Sequence, residues 1–174
     1  MLSIDKNLIR HIQDFPKEGV VFKDITPLIA NKNAFEEICS SFAKLSTGID
    51  LIAGVESRGF IFAAGAAAVS GKGVLPIRKS GKLPGPVMTQ EYQLEYGSAQ
   101  LEIHSDIYTE GSKVLIIDDV LATGGTAIAA ISLCRKIGLN VAGTAFLLEI
   151  SALSGRLNIE KSFPNSSITV LLEE

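Results

Sequence analysis

The stretch from residue 114 to 126, Val-Leu-Ile-Ile-Asp-Asp-Val-Leu-Ala-Thr-Gly-Gly-Thr, restricts this chain more than any other. Its four leading aliphatic residues read as a strand buried on both faces, the mark of a parallel sheet covered by helices. Two aspartates, Asp118 and Asp119, are expected to close that strand. A loop of small and hydroxyl residues follows, and then a helix from near Thr126 to a stop at Gly138. Gly124 and Gly125 let backbone approach an anion closely, Thr123 and Thr126 add hydroxyl donors, and the helix start favours negative charge. Ala122 to Thr126 therefore suits a monophosphate, while the two carboxylates suit the hydroxyls of an attached sugar.

The same strand, loop and helix logic recurs earlier. Residues 51–55 form a short apolar strand that runs into Glu56-Ser57-Arg58-Gly59-Phe60 and a small-residue helix over 61–69. Arg58 thus stands at a strand's carboxyl end, where open α/β sheets place ligands. It either caps a carboxylate of the fold or meets an anion. Residues 74–77 give the next strand, which ends in Arg78, read as surface charge, and Lys79, placed for an anionic group. Further strands are expected over 141–148 and 168–172, with a helical turn between them near 152–157. Strands alternating with helices indicate an α/β, doubly wound, mainly parallel sheet.

The N-terminal spacing of Ile4, Leu8 and Ile12 predicts an amphipathic helix ending near Asp14. Next, residues 15–28 carry two prolines and a glycine together with Phe15, Phe22 and several aliphatics, so this irregular segment packs on something. Phe15 and Phe22 are either core anchors or the walls of a slot for a flat ring. Asn33 and Glu36 suggest a capped helix start, with Phe35, Ile38, Cys39, Phe42 and Leu45 on one face. Residues 81–86, rich in glycine and proline, read as a loop that is mobile or held only by ligand. Residues 92–96 and 99–103 then suggest a two-stranded flap in which Glu91, Glu95 and Glu102 are solvated.

At 174 residues and 47% hydrophobic composition, the chain is expected to be one domain with one core. A net charge of −3 argues against nucleic acid as a partner. No apolar run is long enough to span a bilayer and no signal peptide is evident, so a cytoplasmic protein is expected, with no membrane partner. Cys39 and Cys134 read as buried free thiols, and His11 and His104 as isolated surface or structural residues. A Walker A sequence and a Gly-x-Gly-x-x-Gly after a strand are both missing, so a nucleotide kinase or a dehydrogenase lacks its equipment.

The 118–126 string resembles the binding signature of the type I phosphoribosyltransferases, which recognise phosphoribosyl pyrophosphate (PRPP) through two adjacent acids and a phosphate loop. The string from Asp14 to Leu28 resembles the N-terminal hood of the adenine phosphoribosyltransferase family, and Glu56 to Phe60, Arg78-Lys79 and Leu94-Glu95-Tyr96-Gly97 match its further motifs in order. The resemblance implies a single phosphoribosyltransferase domain over 1–174, with a base-binding hood in 1–32 and a flexible flap in 80–106. It implies a transferase of purine salvage converting adenine and PRPP to AMP and pyrophosphate with Mg2+, the metal carried mainly by substrate oxygens, in a homodimer. It places adenine at Val21, Phe22, Lys23 and Val120, the ribose at Asp118 and Asp119, and the 5′-phosphate at Ala122, Thr123, Gly124, Gly125 and Thr126. Arg58 and Lys79 fall to pyrophosphate, Glu95 to catalysis, and Tyr96 to flap closure. Lys23 replaces the arginine common in relatives, and Thr89 to Tyr92 departs from their flap sequence. Another 6-substituted purine as substrate, or a non-catalytic PRPP-binding regulator, are the competing readings.

Overall fold

The computed structural model describes residues 4–93 and 98–173. Five parallel strands carry the fold: β3 (Leu51–Val55), β4 (Gly73–Lys79), β7 (Lys113–Leu121), β8 (Asn140–Glu149) and β9 (Ile168–Glu173), preceded by a two-stranded ribbon of β1 (Arg10–Ile12) and β2 (Phe22–Asp24). An antiparallel hairpin of β5 (Val87–Gln93) and β6 (Ser98–His104) extends the main sheet, so its order is β5-β6-β4-β3-β7-β8-β9.

Alternation along the central strands makes the two cores. Ile52 of β3 and Leu115 and Ile117 of β7 face α2 (Lys32–Lys44) and α3 (Gly59–Ser70), where Phe42 and Phe62 meet edge-on. Ala53, Val55, Val114 and Ile116 face the other way, onto α4 (Gly125–Lys136) and α5 (Gly155–Ser162). Helices thus cover both faces, as the apolar runs require. The chain passes from β3 to β4 on one side and from β7 to β8 on the other. A crevice therefore opens beyond the carboxyl ends of β3 and β7, the place where such sheets bind ligands. Cys39 and Cys134 are free and buried, as expected. No helix among the described residues is long and apolar enough to cross a membrane.

Several local expectations need correction. The N-terminal segment is not an amphipathic helix: a short 3-10 turn at Lys6–Leu8 leads into β1. Ile4 and Ile9 are the buried residues, while Ile12 is exposed, so the burial period is five rather than four. A helix of that length is marginal alone. Pairing Arg10 with Asp24 in the ribbon satisfies the backbone instead, and the Arg10 Nε donates to Asp24 Oδ2 at 2.9 Å. The first long helix is capped by Asn31, whose side chain accepts from the Ala34 N–H, and not by Asn33. A separate short helix, α1 (Thr26–Ala30), precedes it. Asp118 and Asp119 do not close β7, which continues to Leu121 because Val120 and Leu121 still pair with Leu148 and Glu149.

The hairpin region differs most. Glu102 is not solvated; it is 2% exposed, and its carboxylate accepts backbone N–H groups of Gly81, Lys82 and Leu83. The 81–86 loop is accordingly held by protein, not by ligand alone. Arg78 is more than surface charge, since its Nε lies 3.2 Å from Glu56 Oε2 and its Nη1 donates to the Lys82 carbonyl.

Candidate active site

A cavity of about 480 Å3 occupies the crevice. That volume suits a ligand of nucleotide size. Residues from separate stretches of the chain converge on it, among them Val21, Phe22 and Lys23 from β2 and its approach, Arg58 after β3, Lys79 at the end of β4, and Asp118, Asp119, Val120, Ala122 and Thr126 from β7 and its loop. A smaller adjoining space of about 50 Å3 is lined by Thr123, Gly124 and Gly125, again with Asp118, Val120, Ala122 and Thr126. All the residues to which the family resemblance gives a role, apart from two, therefore border one of these two spaces. Glu95 and Tyr96 lie outside the described residues.

The smaller space is the phosphate-sized cradle. Gly124, with φ +84, caps the start of α4, whose first-turn N–H groups have no partner within the helix and favour an anion. The loop is braced from behind by α5. A Cβ on Gly124 would meet the Gly155 carbonyl at 2.7 Å, and the Asn158 side-chain amide donates to the Thr123 carbonyl at 3.0 Å.

Asp118 and Asp119 are both buried, at 9% and 8% exposure. Burial, and then the neighbouring Asp119 charge, push the Asp118 carboxyl well above its ordinary pKa. Asp118 Oδ1 accepts the Asp119 N–H at 2.8 Å. Arg58 supplies the local positive charge: its Nη2 stands 2.5 Å from Asp119 Oδ2. That oxygen has no aligned hydrogen bond, so the contact is an ion pair and not a saturated one. Arg58 also donates from Nη1 to the Lys23 carbonyl at 3.2 Å, and its guanidinium lies 5.0 Å from the centre of the Phe22 ring. Phe15 packs edge-on against Phe22 at 5.1 Å. Arg58 thus pairs with a carboxylate of the fold, and both groups line the cavity. Phe22 is a pocket wall, and Phe15, 51% exposed, is a buttress and not a core anchor.

Lys79 is fixed through its backbone, which donates to Glu56 Oε2 at 3.0 Å. Burial raises the Glu56 pKa, but the Lys79 N–H and Arg78 outweigh that and hold the carboxyl below its ordinary value. The peptide between Glu56 and Ser57 is cis. No role was assigned from the sequence to Val20, Glu56, Ser57, Tyr92, Ile150 and Leu153, which also line this cavity. Ile150 follows the carboxyl end of β8, so the strand-end rule had the signal for it. Tyr92 falls in the flap expected from the sequence, and Leu153 carried no signal.

An acid pair, a helix start and the cations Lys23, Arg58 and Lys79 meet around one cavity on a doubly wound sheet, and the chain is a phosphoribosyltransferase by its family match. Residues 24–169 match the phosphoribosyl transferase domain family. The chain is 46% identical over 167 residues to the adenine phosphoribosyltransferase of Streptomyces avermitilis, covering 95% of this chain and 92% of that one. It is 50% identical over 163 residues to that of Thermotoga maritima, covering 92% and 94%. Among solved structures, the adenine phosphoribosyltransferase of Thermoanaerobacter pseudethanolicus superposes with a TM-score of 0.90 at 44% identity, over 97% of both chains. That of Saccharomyces cerevisiae, complexed with adenine and an imino-altritol bisphosphate, gives 0.87 at 36% identity over 96% of both. Within the phosphoribosyltransferases, the chain belongs to the adenine phosphoribosyltransferase family.

Proposed function

We infer that this protein joins adenine to the phosphoribosyl group of PRPP, forming AMP and releasing pyrophosphate, a reaction of purine salvage. The observation that carries the reading is the single cavity in which the β2 residues, the acid pair, Arg58 and Lys79 meet beside the phosphate cradle. Adenine bound by the Saccharomyces cerevisiae relative supports the choice of base.

The roles follow from the chemistry of each lining group. Residues 122–126 hold the 5′-phosphate, and Asp118 and Asp119 accept hydrogen bonds from the ribose hydroxyls. The Phe22 ring and Val120 flank the base, the backbone at Val21 reads its edge, and Lys23 stands beside them. Adenine N9 bonds to the anomeric carbon as the bond from that carbon to pyrophosphate oxygen breaks, and the electron pair leaves on pyrophosphate. Arg58 and Lys79 neutralise that charge. Glu95, in the segment matching the family's flap, takes the N9 proton, and Tyr96 helps cover the site.

Among the described residues no group of three or more His, Cys, Asp or Glu side chains is arranged to hold a metal ion. The acid pair Asp118 and Asp119 fits a Mg2+ ion that would be carried mainly by substrate oxygens and water rather than by a protein cage. When bound, Mg2+ supplies further neutralisation of pyrophosphate. We place the base-binding hood in 1–32 and the flap in 80–106 of one domain, in a cytoplasmic homodimer. The outer face of α3, with Ile61 and Val69 exposed at 39% and 58% and Ala64 and Ala68 beside them, offers an apolar surface for the second copy.

A coupled assay with PRPP, Mg2+ and each purine in turn tests the reading. AMP and pyrophosphate should appear together from adenine, with hypoxanthine and guanine inert. Turnover of another purine would shift the substrate, and PRPP binding without turnover would make the protein a sensor.

A further inference from the structure

Lys79 is the last residue of β4, opposite Leu101 of β6, and the chain on either side of it is held by a carboxylate. Before it, the Lys79 N–H and the Arg78 guanidinium bind the Glu56 carboxylate. After it, the chain turns across Glu102 of β6: Oε2 accepts the Gly81 N–H at 2.9 Å, and Oε1 accepts those of Lys82 and Leu83, both at 2.6 Å. Arg78 Nη1 closes the set by donating to the Lys82 carbonyl at 3.0 Å. Glu102 is therefore the central post of a backbone turn that begins immediately after Lys79. It is opposite Arg78 in the β4–β6 pairing and opposite Thr89 in the β5–β6 pairing, so the post stands on the hairpin that leads to residues 94–97.

A buried carboxylate is costly unless its oxygens are satisfied, and here three N–H donors do so. Burial raises the Glu102 pKa, but those donors and the Arg78 charge outweigh it and keep the group below the ordinary glutamate value. It stays ionised at neutral pH. A merely structural core position needs no such group, since an aliphatic residue in an antiparallel hairpin serves at less cost. The turn it organises follows Lys79 directly, and Glu56 holds the Lys79 N–H from the other side.

Resting on the function proposed above, we propose that Glu102 is a positioning residue for the pyrophosphate end of the site: it fixes the 81–83 turn so that Lys79 is held at the pocket, and joins that turn to the base of the flap hairpin.

Glu102→Gln keeps size and removes the charge, turning one oxygen into an NH2 group that faces a backbone N–H. In calorimetry with PRPP and Mg2+, its Kd for PRPP should rise about tenfold or more over wild type, a scale typical of displaced positioning groups. The KM for adenine should stay within about twofold, a split that a general loss of stability does not produce. Backbone amides of 81–83 should exchange slowly in wild type and rapidly in the variant. Glu91→Gln, exposed on the neighbouring strand, should change none of these. If Glu102→Gln does not fold, Glu102→Asp, which keeps the charge but shortens the reach, should show the same split in smaller measure. An unchanged PRPP Kd, or equal changes for PRPP and adenine, overturns the proposal. Absence of AMP from wild type overturns the functional reading instead, and the binding and exchange measurements still decide on Glu102.

Discussion

Gly155→Ala is expected to damage PRPP binding severely although Gly155 borders neither cavity. Its Cβ would stand 2.2 Å from the Ala122 carbonyl oxygen and 2.8 Å from Leu121 Cδ1. The first of these is backbone, so no side-chain rotation relieves it. Ala122 opens the phosphate loop, and that loop is pinned on the far side as well, because the Ile128 N–H donates to the Gly124 carbonyl in the first turn of α4. The methyl must push α5 off the loop or the loop into the cradle. Overpacking of this kind costs about 1–3 kcal/mol, and at about 2–4 °C per kcal/mol for a chain of this size the melting temperature should fall by several degrees. The KM for PRPP, measured well below the new melting temperature, should rise by about tenfold to a hundredfold, because displacement of the order of 1 Å suffices for that. A variant that melts like wild type and keeps its PRPP KM would show that α5 does not brace the loop.

Such a brace marks where sequence reading reaches its limit. β7, its acid pair and the loop after it were legible because local pattern and ligand chemistry coincide there: aliphatic residues buried on both faces, then carboxylates, then glycines at a helix start. Gly155 and Asn158 lie more than thirty residues from the loop they support, and nothing in their own neighbourhood announces a close approach or an amide donating to Thr123. The N-terminal segment failed for a related reason. Its every-fourth aliphatic spacing was real, but pairing with β2 overrode it. Glu102 failed because glutamates in a hairpin are usually solvated, and only the folding of the 81–83 turn over this one turns an exposed position into a buried one.

Asp118→Asn is expected to make the protein more stable and nearly inactive. Asp118 sits against Gly59, where even an added methyl would come within 2.8 Å of its Oδ1, and against the Asp119 carboxylate. Desolvation first, and the Asp119 charge second, raise its pKa well above the ordinary value. Because the folded pKa lies above the unfolded one, ionisation of Asp118 disfavours the fold; that cost is complete above the folded pKa and disappears below the unfolded pKa of about 3.9. Asparagine preserves the Oδ1 acceptor for the Asp119 N–H and removes the charge. The melting temperature should therefore rise at pH 7.5, by about 2–4 °C for each kcal/mol relieved, and the advantage should shrink towards zero as the pH is lowered to about 4. Activity should move oppositely. Losing the charge from two hydrogen bonds to ribose hydroxyls, each worth about 1.5 kcal/mol, lowers kcat/KM for PRPP about a hundredfold. Thermal melts of both proteins at the two pH values, beside initial rates at neutral pH, decide it. A variant less stable than wild type at pH 7.5 would show that the Asp118 charge is supported by the fold, and full activity would remove Asp118 from the ribose site. On the ribose role proposed for Asp118, the expected pairing has one physical source: the buried charge that burdens the fold serves hydroxyls that the substrate brings with it.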